Sequence, residues 1–183
     1  MRIISGKHKS RVLKTLEGLN TRPMMDRMKE SVFNTIGPYF DGDIVLDLFG
    51  GSGALSLESI SRGCKESYIV EKAYAACKVI QSNIETLKEE KSAHLYQLDY
   101  KVALNKFKNE KLVFDIIFLD PPYRMNIMEE IVDFIMENKM LNEKGIIVCQ
   151  YVRGNYTPNE TEELTIIKNY TYASSEICIY QKI

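Results

Sequence analysis

Five short, almost continuously apolar segments, separated by stretches of helical periodicity, constrain this 183-residue chain more than any other feature. DIVLDLF, SYIVE, AHLYQLD, VFDIIFLD and GIIVCQY are too uniformly apolar to be strands with one wet face. Between them stand GALSLESISRG, AYAACKVIQSNIETLKEE, a shorter piece near YKVALNKF, and IMEEIVDFIMENKM. Strands alternating with helices build a parallel sheet covered on both faces. Near the C-terminus the rhythm changes. ELTIIKNY and SEICIYQKI leave little room for a helix between them, so the last pair should run antiparallel. The expected fold is α/β, a doubly wound, mostly parallel seven-stranded sheet with an antiparallel C-terminal strand pair.

Ahead of the alternation, MRIIS and RVLKTL flank the basic GKHKS and predict a short N-terminal arm or hairpin within residues 1–20. Residues 21–183 are then the α/β domain. TRPMMDRMKESVFNTI reads as its first helix. Thr21 is a candidate cap, Pro23 suits the first turn, and Met25, Met28, Val32 and Ile36 form an apolar stripe. Arg22, Arg27 and Lys29 fit a face opposite that stripe, turned toward phosphates; Asp26, Lys29 and Glu30 equally fit exposed pairs at helical spacing.

Charge is unevenly spread. Residues 1–34 hold eight Lys and Arg against Glu17, Asp26 and Glu30, a local +5, while the whole chain is −1. A basic arm on an acidic body suits contact with a polyanion at one place. Arg11, Lys14, Arg22 and Arg27 are its candidate phosphate contacts. No apolar run approaches a membrane span, and no signal-peptide pattern precedes the arm. Cys64, Cys77, Cys149 and Cys178 are scattered, and only His8 and His94 supply imidazole, so a zinc site is not expected. Reduced, buried thiols in a cytoplasmic, metal-free protein, a monomer, are the expectation.

In a doubly wound sheet, ligands sit outside the carboxyl ends of the strands. Those ends carry Asp47-Leu48-Phe49-Gly50-Gly51-Ser52-Gly53, Glu71, Asp99, and Asp120-Pro121-Pro122-Tyr123. The glycines of VLDLFGGSGAL allow a ligand close to the backbone. Ser56 stands at the third glycine position of a dinucleotide fingerprint, and Asp47 would repel a pyrophosphate. A cationic ligand suits that acid better, and S-adenosylmethionine is one without phosphate. Glu71, 20 residues after Gly51, is placed to accept ribose hydroxyls, and Asp99 to accept from an adenine amine.

An exocyclic amine on a base is a poor nucleophile because its lone pair is delocalised into the ring. Two acceptors on its hydrogens favour a pyramidal nitrogen. Asp120 supplies one through its carboxylate and Pro121 another through its carbonyl, with Pro121 and Pro122 fixing the backbone. Tyr123 offers a stacking face for an extruded base. The C-terminal tyrosines (Tyr151, Tyr156, Tyr170, Tyr172 and Tyr180) are better explained by strand packing.

VLDLFGGSGAL, YIVEK and DIIFLDPPY resemble the motifs of the Rossmann-like class I, S-adenosylmethionine-dependent amino-methyltransferases. The D-P-P-Y segment is similar to the [DN]-P-P-[FYW] signature of enzymes that methylate base amines. Within them, MRIISGKHKSRVLK followed by TRPMMDRMKESVFNTI resembles the start of the bacterial 16S ribosomal RNA guanine-N2 methyltransferases of the RsmD type. The resemblance implies cofactor contacts at Asp47, Phe49, Gly51, Gly53, Glu71 and Asp99, and catalytic contacts at Asp120, Pro121, Pro122 and Tyr123. It also implies guanine N2 in 16S ribosomal RNA of the small ribosomal subunit as the target. A DNA adenine-N6 methyltransferase is the nearest alternative, disfavoured because no inserted segment is left to read DNA sequence. An NAD-dependent oxidoreductase and a non-catalytic RNA-binding or assembly factor are the alternatives of other classes.

Overall fold

The computed structural model describes residues 1–16 and 26–183. Among them run α1 (Asp26–Ile36), β1 (Ile44–Asp47), α2 (Ala54–Ser61), β2 (Glu66–Glu71), α3 (Tyr74–Leu87) and β3 (Ala93–Gln97). Then follow α4 (Tyr100–Asn109), β4 (Phe114–Leu119), α5 (Met128–Glu137), β5 (Leu141–Val152), β6 (Leu164–Thr171) and β7 (Ser175–Lys182). The strands form one seven-stranded sheet in the order β3-β2-β1-β4-β5-β7-β6. Neighbours among β1 to β5 are parallel, and β7 pairs antiparallel with both β5 and β6. The expected doubly wound sheet with an antiparallel end is the one observed. Strand order reverses between β1 and β4, which opens a crevice at their carboxyl ends.

Successive residues of a strand point to opposite faces, and both faces are buried here. Leu46, Val70, Ile117 and Ile147 pack with Leu104, Phe107, Ile131 and Ile135 of α4 and α5. On the opposite face, Val45, Phe118 and Val148 meet Met28, Val32 and Phe33 of α1. Beside them Ile69 and Ala93 meet Leu57 and Ile60 of α2 and Ile80 and Ile84 of α3. Where it is described, the stripe on α1 faces the core: Met28 and Val32 are buried and Ile36 is half-buried against the same cluster, which Phe33 joins from outside the stripe. The candidate cap Thr21, Pro23 and Met25 lie outside the described residues, as does the expected boundary between residues 20 and 21. Gly37 follows the end of α1 and donates its N–H to the Phe33 carbonyl at 2.9 Å.

The N-terminal segment is a short hairpin. Arg2 bridges Val12 antiparallel, and the Ile3 N–H donates to the Arg11 carbonyl at 2.9 Å. Ile3 and Leu13 are buried among the α2 and α3 side chains. Glu58 of α2 ties the hairpin to the body. Its carboxylate accepts the N–H of Ile4 at 2.9 Å and of Ser5 at 3.1 Å, the Arg62 Nε at 2.8 Å, and lies 3.1 Å from Lys29 Nζ. Lys29 is fully buried and also donates to the Arg2 carbonyl at 2.6 Å. Lys29 is not exposed as either reading requires: it stands 4.0 Å from Asp26 at the expected i, i+3 spacing, but inside the protein, where the buried Glu58 carboxylate is its nearer acid. All four cysteines are free and buried. Among the described residues, no helix is long and apolar enough to cross a membrane, and no group of side chains is arranged to hold a metal ion.

Candidate active site

A cavity of about 630 Å³ opens at the carboxyl ends of β1, β2 and β3 and beside the segment that follows β4. That is the size range of a small-molecule site. Its wall includes Leu48, Phe49, Gly50, Gly51 and Ser52 after β1, and Glu71, Lys72 and Ala73 after β2. Leu98, Asp99 and Tyr100 come from the end of β3 and the start of α4, and Asp120, Pro122 and Met125 from beyond β4. Met1, Thr15, Leu16 and Lys29 close the side nearest the hairpin and α1.

The glycine turn is held open by its backbone. Gly51 has φ +58° and Gly53 φ +79°, a left-handed region that costs a β-carbon-bearing residue. Gly53 is the N-cap of α2 and does not line the cavity. Glu71 clamps the turn from the next strand, its carboxylate accepting the N–H of Gly51 at 3.0 Å and of Ala73 at 2.8 Å. Each carboxylate oxygen retains a lone pair for a further donor. Asp99 serves two purposes: its carboxylate accepts the Lys101 N–H at 3.0 Å, capping α4, and the residue faces the cavity.

Asp47 lies one layer behind the wall. It is buried, outside the lining, and accepts a hydrogen bond from Ser56 Oγ at 2.9 Å. The serine that breaks the dinucleotide fingerprint therefore steadies an acid. Burial, opposed by the Ser56 hydrogen bond and helped by the nearby charge of Glu71, pushes the Asp47 carboxyl up to about 7. Asp120 is raised to about 7 by burial and then by the charge of Asp47. Asp47 pairs in register with Phe118 of β4, two residues before Asp120, which accounts for that coupling.

The Asp-Pro-Pro-Tyr segment is a braced turn. The Pro122 carbonyl accepts the Met125 N–H at 2.9 Å, and the Tyr123 carbonyl accepts from Asn155 Nδ2 at 3.2 Å. Neither bond uses the Pro121 carbonyl. Pro121, Pro122 and Tyr123 also border a small depression with Tyr151, Asn155 and Tyr156. Tyr156 and Tyr180 share a hydrogen bond of 2.8 Å, and Tyr170 bonds Thr35 at 2.7 Å, so these tyrosines serve packing.

The fold thus brings Phe49, Gly51, Glu71, Asp99, Asp120 and Pro122 to one cavity, with Asp47 and Gly53 supporting it from behind and Pro121 and Tyr123 just outside. Arg11, Lys14 and Arg27 are exposed, and Arg22 lies outside the described residues. Sequence reasoning missed Lys72, Tyr100 and Lys29 in the wall. Lys72 and Tyr100 directly follow Glu71 and Asp99, so the strand-end rule had only to be extended by one position. With Glu71, Asp99 and Asp120 around it and Asp47 behind, the cavity fits a cationic ligand with hydroxyls to donate, as S-adenosylmethionine is. A pyrophosphate would meet the same acids unfavourably.

Residues 1–181 match the family described as "Conserved hypothetical protein 95". YlbH of Bacillus subtilis is 41% identical over 182 residues, covering 100% of this chain and 99% of its own length. "Ribosomal RNA small subunit methyltransferase D" of Haemophilus influenzae is 31% identical over 184 residues, covering 99% of this chain and 93% of its own. The solved structure of yhhF from Escherichia coli superposes with a TM-score of 0.88 at 28% identity, covering 100% of this chain and 97% of that one. The match runs from the hairpin through the antiparallel strand pair, and on it this chain belongs to the Conserved hypothetical protein 95 family, the methyltransferases of the RsmD type.

Proposed function

We propose that this chain is an S-adenosylmethionine-dependent ribosomal RNA methyltransferase that modifies the exocyclic N2 amine of a guanine in 16S ribosomal RNA. One observation supports this most. Asp120, with its carboxyl raised to about 7, stands on a proline-braced turn in the wall of the same cavity as Glu71 and the glycine turn. The name of the Haemophilus influenzae relative supports ribosomal RNA of the small subunit as the acceptor.

When bound, S-adenosylmethionine supplies a methyl group already activated on a cationic sulfur. The chain's work is then positioning and charge. Glu71 would accept the ribose hydroxyls, Phe49 and the Gly51 backbone would line the nucleoside's place, and Asp99 would accept from the adenine amine. Asp47, behind the wall, would contribute negative potential favouring a cationic cofactor. Asp120 and the Pro121 carbonyl accept the two amine hydrogens and turn the nitrogen lone pair toward the methyl carbon. Transfer of the methyl to that nitrogen would form the N–C bond as the S–C bond breaks, the sulfur leaving as a neutral thioether. The surplus nitrogen proton leaves to Asp120 or to water, and a carboxyl titrating near 7 is a better acceptor than an ordinary one. Tyr123 stacks on the base, and Arg11, Lys14, Arg22 and Arg27 meet phosphates. A cytoplasmic, monomeric enzyme acting on the small subunit or its RNA completes the reading.

Transfer of labelled methyl to small subunits from cells lacking the enzyme, to their deproteinised RNA and to unmethylated DNA tests it. Label should appear as N2-methylguanosine in ribosomal RNA. Asp120→Ala should lower turnover by at least about a hundredfold, with S-adenosylmethionine affinity changed by no more than a few fold. Label as N6-methyladenine in DNA would overturn the substrate. Equal loss of cofactor binding in Asp120→Ala would overturn the role given to that residue.

A further inference from the structure

The outer side of α3 carries Tyr74, Lys78, Ser82 and Thr86, one helical turn apart. Residues four apart form one ridge. The ridge begins at the cavity mouth, because Lys72, Ala73 and Ala76 belong to the cavity wall. Tyr74 is 61% exposed, and the Lys78 ammonium stands over its ring, 4.8 Å from the centroid.

The hairpin completes the ridge. Lys14 Nζ donates to Ser82 Oγ at 2.8 Å, and Arg11 Nη2 donates to the Thr86 carbonyl at 3.3 Å. Asn83, buried next to Ser82, clamps the hairpin backbone there. It accepts the Lys14 N–H at 2.8 Å and donates to the Lys14 carbonyl and to the Ser52 carbonyl, each at 3.0 Å. One amide thus joins the hairpin, α3 and the glycine turn. No acid interrupts the row. Glu85 lies in the adjacent row, bonded to Gln81 at 2.9 Å.

An exposed aromatic ring at the cavity mouth is followed along the helix by Lys78, Lys14 and Arg11. A polyanion with stackable bases uses both features, whereas an acidic peptide would use only the cations. We infer that this ridge is the track for the single-stranded RNA flanking the target base, with Tyr74 stacking on a neighbouring base and Lys78 meeting its phosphate. This rests on the proposed methyl transfer to RNA. It adds a path and two residues, Tyr74 and Lys78, on an element outside the hairpin.

Binding of a short fluorescent single-stranded RNA, titrated over a range of salt, tests the track. Tyr74→Ala should weaken binding about tenfold without altering the salt slope, and Tyr74→Phe should restore it. Lys78→Gln should reduce the slope of log affinity against log salt by about 0.7. S-adenosylmethionine affinity should be unchanged in all three. Wild-type affinity and slope in the combined Tyr74→Ala, Lys78→Gln variant would overturn the track. So would competition by polyglutamate as effective as that by unlabelled RNA. A wild-type chain that binds RNA through these residues but transfers no methyl would leave the track standing and overturn the proposed activity. A wild-type chain that binds no RNA would overturn both.

Discussion

Asp47 ends β1 and Asp120 follows the adjacent β4, so the charge of one raises the proton affinity of the other. Both carboxyls titrate near 7 in the folded chain instead of near 3.8. Between those values the folded state binds more protons than the unfolded state, so the stability held by these two groups is fully present at the acid end. It is lost as pH rises to about 7. Asp47→Asn removes one charge and relieves the other. The decline in stability between about pH 4 and 7 should become shallower, and the acid limb of the methyl-transfer rate should move to lower pH as Asp120 ionises more readily. A limb that stays near 7 in Asp47→Asn would show that burial alone sets the Asp120 titration. Cationic cofactor should favour the ionised form of both acids, so its affinity should rise as pH passes through 7.

The hairpin and α1 are held to α2 through Glu58, which gathers two backbone N–H groups and two cations inside the protein. Nothing in the helical pattern of TRPMMDRMKESVFNTI distinguishes Lys29 from an exposed lysine. Its partner comes from another helix, and a helical wheel does not show it. Removing the carboxylate would strand Lys29 and Arg62 as buried charges. Glu58→Ala should therefore cost about 3–5 kcal/mol, measured by denaturant unfolding, and should leave the hairpin readily cleaved by protease. A cost below about 1 kcal/mol would mean that the hairpin and α1 are held by apolar packing alone. Asp99 shows the opposite case at this scale. Capping α4 and facing the cavity are compatible, because a carboxylate that accepts one backbone N–H still has lone pairs to offer.

For the molecule as a whole, the cavity joins contributions from the glycine turn, three further chain segments and the hairpin side, so a ligand that fills it ties these parts together. S-adenosylmethionine at about 100 times its dissociation constant should stabilise the fold by about 2.7 kcal/mol, seen as a rise in Tm. NAD at the same concentration should leave Tm unchanged, since its pyrophosphate meets Glu71 at the wall with Asp47 behind. A rise with NAD and none with S-adenosylmethionine would overturn the cofactor assignment.

The sequence by itself determined the parallel sheet, its antiparallel end and the strand termini where the site lies. Alternation of strand and helix permits few topologies, and ligands gather where a doubly wound sheet reverses. It also determined the glycine turn and the Asp-Pro-Pro-Tyr turn, which are local in the chain. Tertiary structure alone decided which acids face the cavity and which stand behind it, with Glu71 and Asp120 at the wall and Asp47 beneath. It decided that Lys29 is buried, and that Asn83 lays the hairpin along α3 through bonds spanning 69 positions. Composition and periodicity describe neighbours along the chain. These last features depend on groups that meet only after the sheet has formed.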